Sequence, residues 1–427
     1  MKKFLYYGLF GLFFIFLAFI NNAHSKINLI DAFFLVAKDG NLSNKPLDFP
    51  VVNNRNNPTW VAMKYYNEGH EAITVIPLRS NGFISNKYVF VTSKEGEEGD
   101  FQDIITKIIE YTWNQMGNML LYSSKDNNSS VQINLYNVDN NSTKKVNWQN
   151  NDIIRSNFYF FGPNQEDIIY SSNKIGLLKL NINIGSGVYD DSIIAHGDIY
   201  DPIYCSDINK IIYYKYYNNN AGIYENTLRG NQENEIVNLP IFSEMSPVYS
   251  KECQKIIYVS NFHADSKYIN THMRDNLQNS FRLFSYNIKT GKRELEHNEY
   301  IKIECLRDMI IRNKNNLIYF KNKVFFLLRD NPIGLGSWNC ITKKVEHYFL
   351  EREFNIKIPI NGRKIDSKIT IYHINSFDVC YIKDSQYIVL SASIAFEILN
   401  KKLHELYLVS RTGINAPGTI VLLYKIN

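Results

Sequence analysis

Residues 202–213 (PIYCSDINKIIY) return 45 residues later as 247–258 (PVYSKECQKIIY), with proline, tyrosine, lysine, two isoleucines and the last tyrosine in register. The pattern is proline, one residue, an aromatic, a polar turn carrying Asp207 or Glu252, then an apolar strand that closes on an aromatic. A repeat of this length marks an array of β-sheet units, because one such unit cannot bury its apolar face alone and must lean on the next. Nothing else in the chain restricts its fold as strongly.

Further copies can be laid along the sequence, closing at Tyr122, Tyr170, Tyr213, Tyr258, Tyr319 and Leu390, so the steps are 48, 43, 45, 61 and 71 residues. The first three steps match one four-stranded propeller blade of about 40 to 50 residues, and the last two match a blade plus an insertion. Each closing strand is followed by a polar turn and another strand, as at 131–138, 177–182 and 281–288. The expectation is an all-β chain, a six-bladed β-propeller of four-stranded antiparallel blades, with a seventh blade if 60–92 completes one. In that stretch 60–66, 72–77 and 88–92 read as strands. Phe101, Ile104, Ile105 and Ile108 fit a helix face and a strand equally well. The expected layout is a signal peptide over 1–25, a lead-in over 26–58 and the propeller over 59–427, with clear repeats over about 105–400.

These residues resemble the TolB-type, WD40-like propeller repeat, whose consensus runs P-x-W-S-P-D-G-K-x-I-x-F. Pro202, Tyr204, Asp207, Ile211 and Tyr213 fall on its proline, first aromatic, acid, strand and final aromatic. Trp113, Gly117 and Tyr122 fill the same slots one copy earlier, and Phe161, Pro163, Asn164 and Tyr170 fill them in the copy between. The turn glycine survives only as Gly117, and the separate α/β N-terminal domain of that family is not recognisable here. The resemblance implies a propeller, in a family that includes periplasmic scaffold proteins and the propeller halves of peptidases and lyases. In this pattern proline is expected to start a strand where no ladder donor is needed, and the acid to set the hairpin turn.

At the N-terminus, Lys2 and Lys3 precede an unbroken apolar run over 4–20, and Ala23-His24-Ser25 offers small residues for cleavage before Lys26. This reads as a secretory signal. The other reading is a retained anchor, since 17 apolar residues approach the roughly 20 that span a bilayer. Either way the expected location is exported, periplasmic or extracellular, with the membrane involved only through an uncleaved signal. Loss of Lys2 and Lys3 lowers the formal charge from +5 to +3, and no basic cluster concentrates it, so nucleic acid is not an expected partner. The five cysteines, Cys205, Cys253, Cys305, Cys340 and Cys380, form no C-x-x-C. One or two disulfides are allowed in an exported chain. Cys205 and Cys253 occupy different repeat positions, so they read as strand or turn residues and not as a bridge copied from blade to blade.

Two groups of side chains could carry a site. His196, Asp198, Tyr200 and Asp201 precede the Pro202 copy, and Ser243, Glu244 and Ser246 stand one blade on. In propellers of this type the segment entering each blade lines the mouth of the central channel, so these seven could ring a ligand; ordinary turn polarity accounts for the same residues. His263, Asp265, His272 and Asp275 are the densest set of potential metal ligands, although their spacing matches no known ligand helix or knuckle and a solvated loop would look the same. There is no G-x-S-x-G, H-E-x-x-H or phosphate-binding glycine loop. No catalytic residue and no cofactor are expected. The function read from the chain is a non-enzymatic binding or scaffold protein of the cell envelope, taking a protein or small ligand at the propeller mouth. The alternative is a propeller-based hydrolase or lyase acting on polysaccharide or peptide.

Overall fold

The computed structural model describes residues 27–33, 47–67, 70–84, 87, 89–91, 107–125, 131–146, 159–161, 167–172, 175–182, 189–217, 220–230, 232–239, 242–262, 281–301, 317–328, 333–360, 363–399 and 416–426. The N-terminal segment 1–25 lies outside them. Every regular element among the described residues is a β-strand, and no helix there is long and apolar enough to cross a membrane.

After β1 (Ile27–Phe33), the strands group in chain order into seven sheets. Blade 1 holds β2 (Leu47–Val52), β3 (Trp60–Asn67), β4 (His70–Arg79), β5 (Gly82–Phe83) and β6 (Val89–Val91). Blade 2 holds β7 (Lys107–Trp113), β8 (Met119–Lys125), β9 (Val131–Asn137) and β10 (Ser142–Val146). Blade 3 holds β11 (Tyr159–Phe161), β12 (Asp167–Ser171), β13 (Gly176–Ile182) and β14 (Tyr189–His196). Blade 4 holds β15 (Asp198–Cys205), β16 (Lys210–Tyr217), β17 (Asn220–Asn226) and β18 (Asn234–Val237). Blade 5 holds β19 (Glu244–Ser250), β20 (Lys255–Ser260), β21 (Phe281–Asn287) and β22 (Arg293–Ile301). Blade 6 holds β23 (Leu317–Phe320), β24 (Lys323–Leu327), β25 (Gly334–Asn339) and β26 (Val345–Phe349). Blade 7 has β28 (Arg363–Ile382) as its inner strand, β29 (Ser385–Ile398) second and β30 (Ala416–Ile426) third, with β1 added outside β30 and β27 (Glu353–Ile360) paired to the first half of β28.

The propeller therefore has seven blades, not six: 60–92 does complete one. The segment 26–58 is not a lead-in outside the ring. It supplies β1 to blade 7 and β2 to blade 1. β1 pairs antiparallel with β30 from Ile27↔Ile426 to Phe33↔Val421, so the first strand closes a blade otherwise made from the end of the chain. That pairing covers an edge that would otherwise stand open. The joint to blade 1 is polar. Asp378 accepts from the Val52 amide (3.0 Å) and from Arg55 Nε (3.1 Å), and the Asn57 amide donates to the Tyr381 carbonyl (2.6 Å).

The closing residues Tyr122, Tyr170, Tyr213 and Tyr258 lie in the second strands of blades 2 to 5 and are all fully buried. Tyr213 stacks on Tyr224 of the neighbouring strand (centroids 6.3 Å apart) and Tyr258 on Phe284 (6.2 Å). Leu390 is likewise buried in the second strand of blade 7. Tyr319 departs from the pattern, because it sits in the first strand of blade 6. Blades 4 and 5 join their first two strands by four-residue turns, with Asn209 (φ 52°) and Gln254 (φ 51°) left-handed. Blades 6 and 7 use two residues, Lys321-Asn322 and Lys383-Asp384, all four at positive φ. Such turns match the strand twist, but they shorten the hairpin and move the repeat out of phase. The long final step has a different cause. β28 runs for 20 residues, and its first half pairs with β27 beyond the part that serves as the blade's inner strand.

The turn acids do more than shape a hairpin. Tyr249 of blade 5 donates its hydroxyl to Asp207 of blade 4 (2.6 Å), and Tyr319 of blade 6 donates to Glu252 of blade 5. Each acid thus holds the inner strand of the next blade. Burial together with the Glu252 carboxylate pushes the Tyr319 hydroxyl up to about 12. Gly117 serves the same purpose between blades 1 and 2. It sits at φ 75°, its carbonyl accepts from Asn53 Nδ2 (2.8 Å), and a Cβ there would lie 2.9 Å from that nitrogen. At the seam between blades 5 and 6, Cys253 and Cys340 form a disulfide. Lys255 and Lys343 both reach Glu296 there (2.8 and 2.7 Å).

Candidate functional site

Inner strands of neighbouring blades come together, β2 with β7 and β28, β15 with β11 and β19, and β23 with β19 and β28, and three inner strands carry the same irregularity. Asp201-Pro202 in β15 and Ser246-Pro247 in β19 each set two residues opposite one, and Phe49-Pro50 in β2 does likewise. The single residues opposite are Tyr213, Tyr258 and Met63. Proline therefore lies inside the inner strand at a bulge and does not start it; its missing N–H falls where the ladder is already interrupted. The residue before it is left-handed each time, at φ 46°, 51° and 52° for Asp201, Ser246 and Phe49. Non-glycine residues rarely adopt such angles, and bulges of this kind re-aim a side chain next to a site.

The seven channel-mouth residues separate by environment. His196 is exposed at the end of β14, while Asp198 and Asp201 of β15 and Ser243 just before β19 are half-buried. Tyr200, Glu244 and Ser246 are buried. Tyr200 stacks on Tyr214 at 5.3 Å and meets Tyr216 edge-on at 5.4 Å, and the Tyr216 hydroxyl lies 3.2 Å from Met245 Sδ. Asp198, Asp201 and Ser243 are thus the half-buried polar side chains where the chain enters blades 4 and 5. His263, Asp265, His272 and Asp275 lie outside the described residues. Among the described residues no group of three or more His, Cys, Asp or Glu side chains could hold a metal ion.

Glu244, the first residue of β19, has no solvent exposure. Its carboxylate accepts from Ser260 Oγ (3.0 Å) and the Leu239 amide (3.4 Å), and Arg293 Nη2 stands 3.6 Å away. Arg293 also donates to Ser260 Oγ (3.1 Å), and its guanidinium lies over the rings of Phe284 (4.5 Å) and Phe262 (4.6 Å). Ser260 and Arg293 carry no motif. They reach Glu244 only because β20 and β22 share its sheet, so sequence alone did not single them out. Burial pushes the Glu244 carboxyl from its usual 4.5 up to about 7, with Arg293 opposing the shift.

A raised carboxyl contributes stability that is fully present below its unfolded value and is lost as pH rises through the folded one. The ring should therefore lose up to about 3 kcal/mol between pH 4.5 and 7, from 1.36 kcal/mol per pKa unit. Urea denaturation of Glu244→Gln at several pH values should show this slope removed. An unchanged slope would assign the pH dependence to other groups.

No protein-family model matches the chain, and no curated protein matches it. Solved structures do. An oligogalacturonate lyase in complex with manganese is 8% identical, with a TM-score of 0.51, over 95% of this chain and 98% of that one. The propeller domain of the Trilobed protease from Pyrococcus furiosus is 11% identical, with a TM-score of 0.47, over 83% of this chain and 95% of that one. TolB from Acinetobacter baumannii is 11% identical, with a TM-score of 0.41, over 66% of this chain; the chain spans about 60% of that protein's length. At these identities the likeness is one of fold. By its strand order and by that likeness, the chain is a seven-bladed β-propeller.

Proposed function

We propose that this chain is an exported, non-enzymatic binding propeller of the cell envelope, which takes a protein or a small ligand at the mouth formed by blades 4 and 5. The observation that carries the reading is the proline bulge repeated in β15 and β19, at or beside which Asp198, Asp201 and Ser243 are left half-buried. A rigid ring with loops and bulges at one end is suited to recognition by shape, since the scaffold is ordered before the partner arrives. The N-terminal Lys2-Lys3, the apolar run and Ala23-His24-Ser25 support export, and the Cys253–Cys340 bridge suits an oxidising compartment.

The test is cross-linking of the exported protein to envelope components, comparing wild type with Asp198→Lys/Asp201→Lys. Loss of a specific adduct in a variant of unchanged stability supports the binding mouth; an identical adduct pattern moves the interface elsewhere. Mass spectrometry of the same material should show Lys26 as the first residue. Oligogalacturonate is assayed alongside, and its cleavage to an unsaturated product would replace the binding reading with a lyase.

A further inference from the structure

We propose that this chain needs a thiol–disulfide exchange partner, a dithiol isomerase, to reach its Cys253–Cys340 bridge. Cys253 lies in the turn between β19 and β20, and Cys340 follows β25 in the next blade. Their Cα atoms are 6.5 Å apart across 87 residues of sequence. In the folded chain the two sulfurs are held together by the hairpin of blade 5 docked against blade 6, so docking is what favours this pair over others.

The unfolded chain favours other pairs. Cys205 is 48 residues before Cys253, Cys305, outside the described residues, is 52 after it and 35 before Cys340, and Cys380 is 40 after Cys340. Loop closure weakens as about the 3/2 power of length. The Cys205 and Cys305 pairs with Cys253 therefore close roughly twofold more readily than the native one, Cys340–Cys380 roughly threefold and Cys305–Cys340 roughly fourfold. A ring closed between its first and last strands has many distant contacts and folds slowly. An oxidant thus meets the thiols before the blades dock. Folding then withdraws two of them. Cys205 and Cys380 are buried, and burial pushes both thiols far above their ordinary range, so neither supplies a thiolate to undo an error.

The chemistry balances. A disulfide oxidant takes two electrons and two protons from a pair of cysteines and forms the first, often wrong, bridge. The isomerase thiolate attacks Cys253 Sγ in a Cys253–Cys305 bridge; that S–S bond breaks, and Cys305 leaves as a thiolate that takes up a proton. The Cys340 thiolate then attacks Cys253 Sγ and expels the isomerase thiolate. No net electrons move in the exchange.

The full mature chain, reduced and unfolded, is refolded with oxidised glutathione alone or with an excess of reduced glutathione added, and its bridges are read by non-reducing peptide mapping. With oxidant alone most bridges should include Cys205, Cys305 or Cys380, and added thiol should raise the Cys253–Cys340 yield several-fold. Cys205→Ser/Cys305→Ser/Cys380→Ser, which keeps only the native pair, should reach the native bridge with oxidant alone. Equal native yield for wild type in both mixtures, or no gain in that triple variant, overturns the proposal. Where the reduced chain aggregates, the same mapping on protein exported by bacterial hosts with and without their disulfide isomerase decides: unchanged bridging in the two hosts overturns it.

Discussion

Tyr258→Ala lowers the stability of the ring by about 3 to 5 kcal/mol, the range for truncating a large buried aromatic, and Tyr213→Ala does the same. Both rings are fully buried, stand opposite a proline bulge and stack on the next strand. Removing either leaves a cavity where a blade packs on its neighbour, and the β1–β30 closure prevents the ring from relaxing at a free end. Asp207→Ala should cost only about 1 kcal/mol, the net worth of one hydrogen bond, because its bond from Tyr249 lies at the surface. Guanidinium denaturation of the three variants checks the order. If Asp207→Ala proves the costliest, the link between blades 4 and 5 outweighs the stacking, and the account of what holds the ring fails.

Cys253→Ala/Cys340→Ala should cost about 4 to 5 kcal/mol, the chain-entropy figure for a closed loop of 87 residues. The bridge shares its seam with the Lys255–Glu296–Lys343 group and with the Ser250 hydroxyl, which lies 3.0 Å from Tyr319 Oη and 3.4 Å from Cys340 Sγ. All of these persist in the variant except the Ser250–Cys340 contact, so the loss should come mainly from a freer unfolded chain, and the denaturant dependence should steepen as more surface becomes exposed on unfolding. A loss below about 1 kcal/mol would mean that the polar contacts already hold the seam.

The architecture was legible where the first hairpin turn is four or five residues long, as in blades 2, 4 and 5. In blades 2 to 5 the spacing of Tyr122, Tyr170, Tyr213 and Tyr258 follows from a pattern that each chain segment carries by itself, because every blade must bury the same closing position. It failed at Tyr319, where a two-residue turn replaces a four-residue one, and at the final step, where β27 and an extended β28 insert residues with no periodic mark. The blade count was settled by β2 and by the pairing of β1 with β30, a contact between chain ends that no local pattern encodes.

The site divides in the same way. That Asp198, Asp201, Ser243 and Ser246 enter successive blades could be read from their place before each repeat. That Glu244 is sealed against Ser260 and Arg293 could not, nor that Asp207 and Glu252 hold the next blade's tyrosine, nor that Cys253 pairs with Cys340 across a seam. Residue type and spacing determine which positions need burial, turn or strand, because those demands are local. Which polar groups meet is decided by how one blade docks on the next, and it emerges only when the ring is closed.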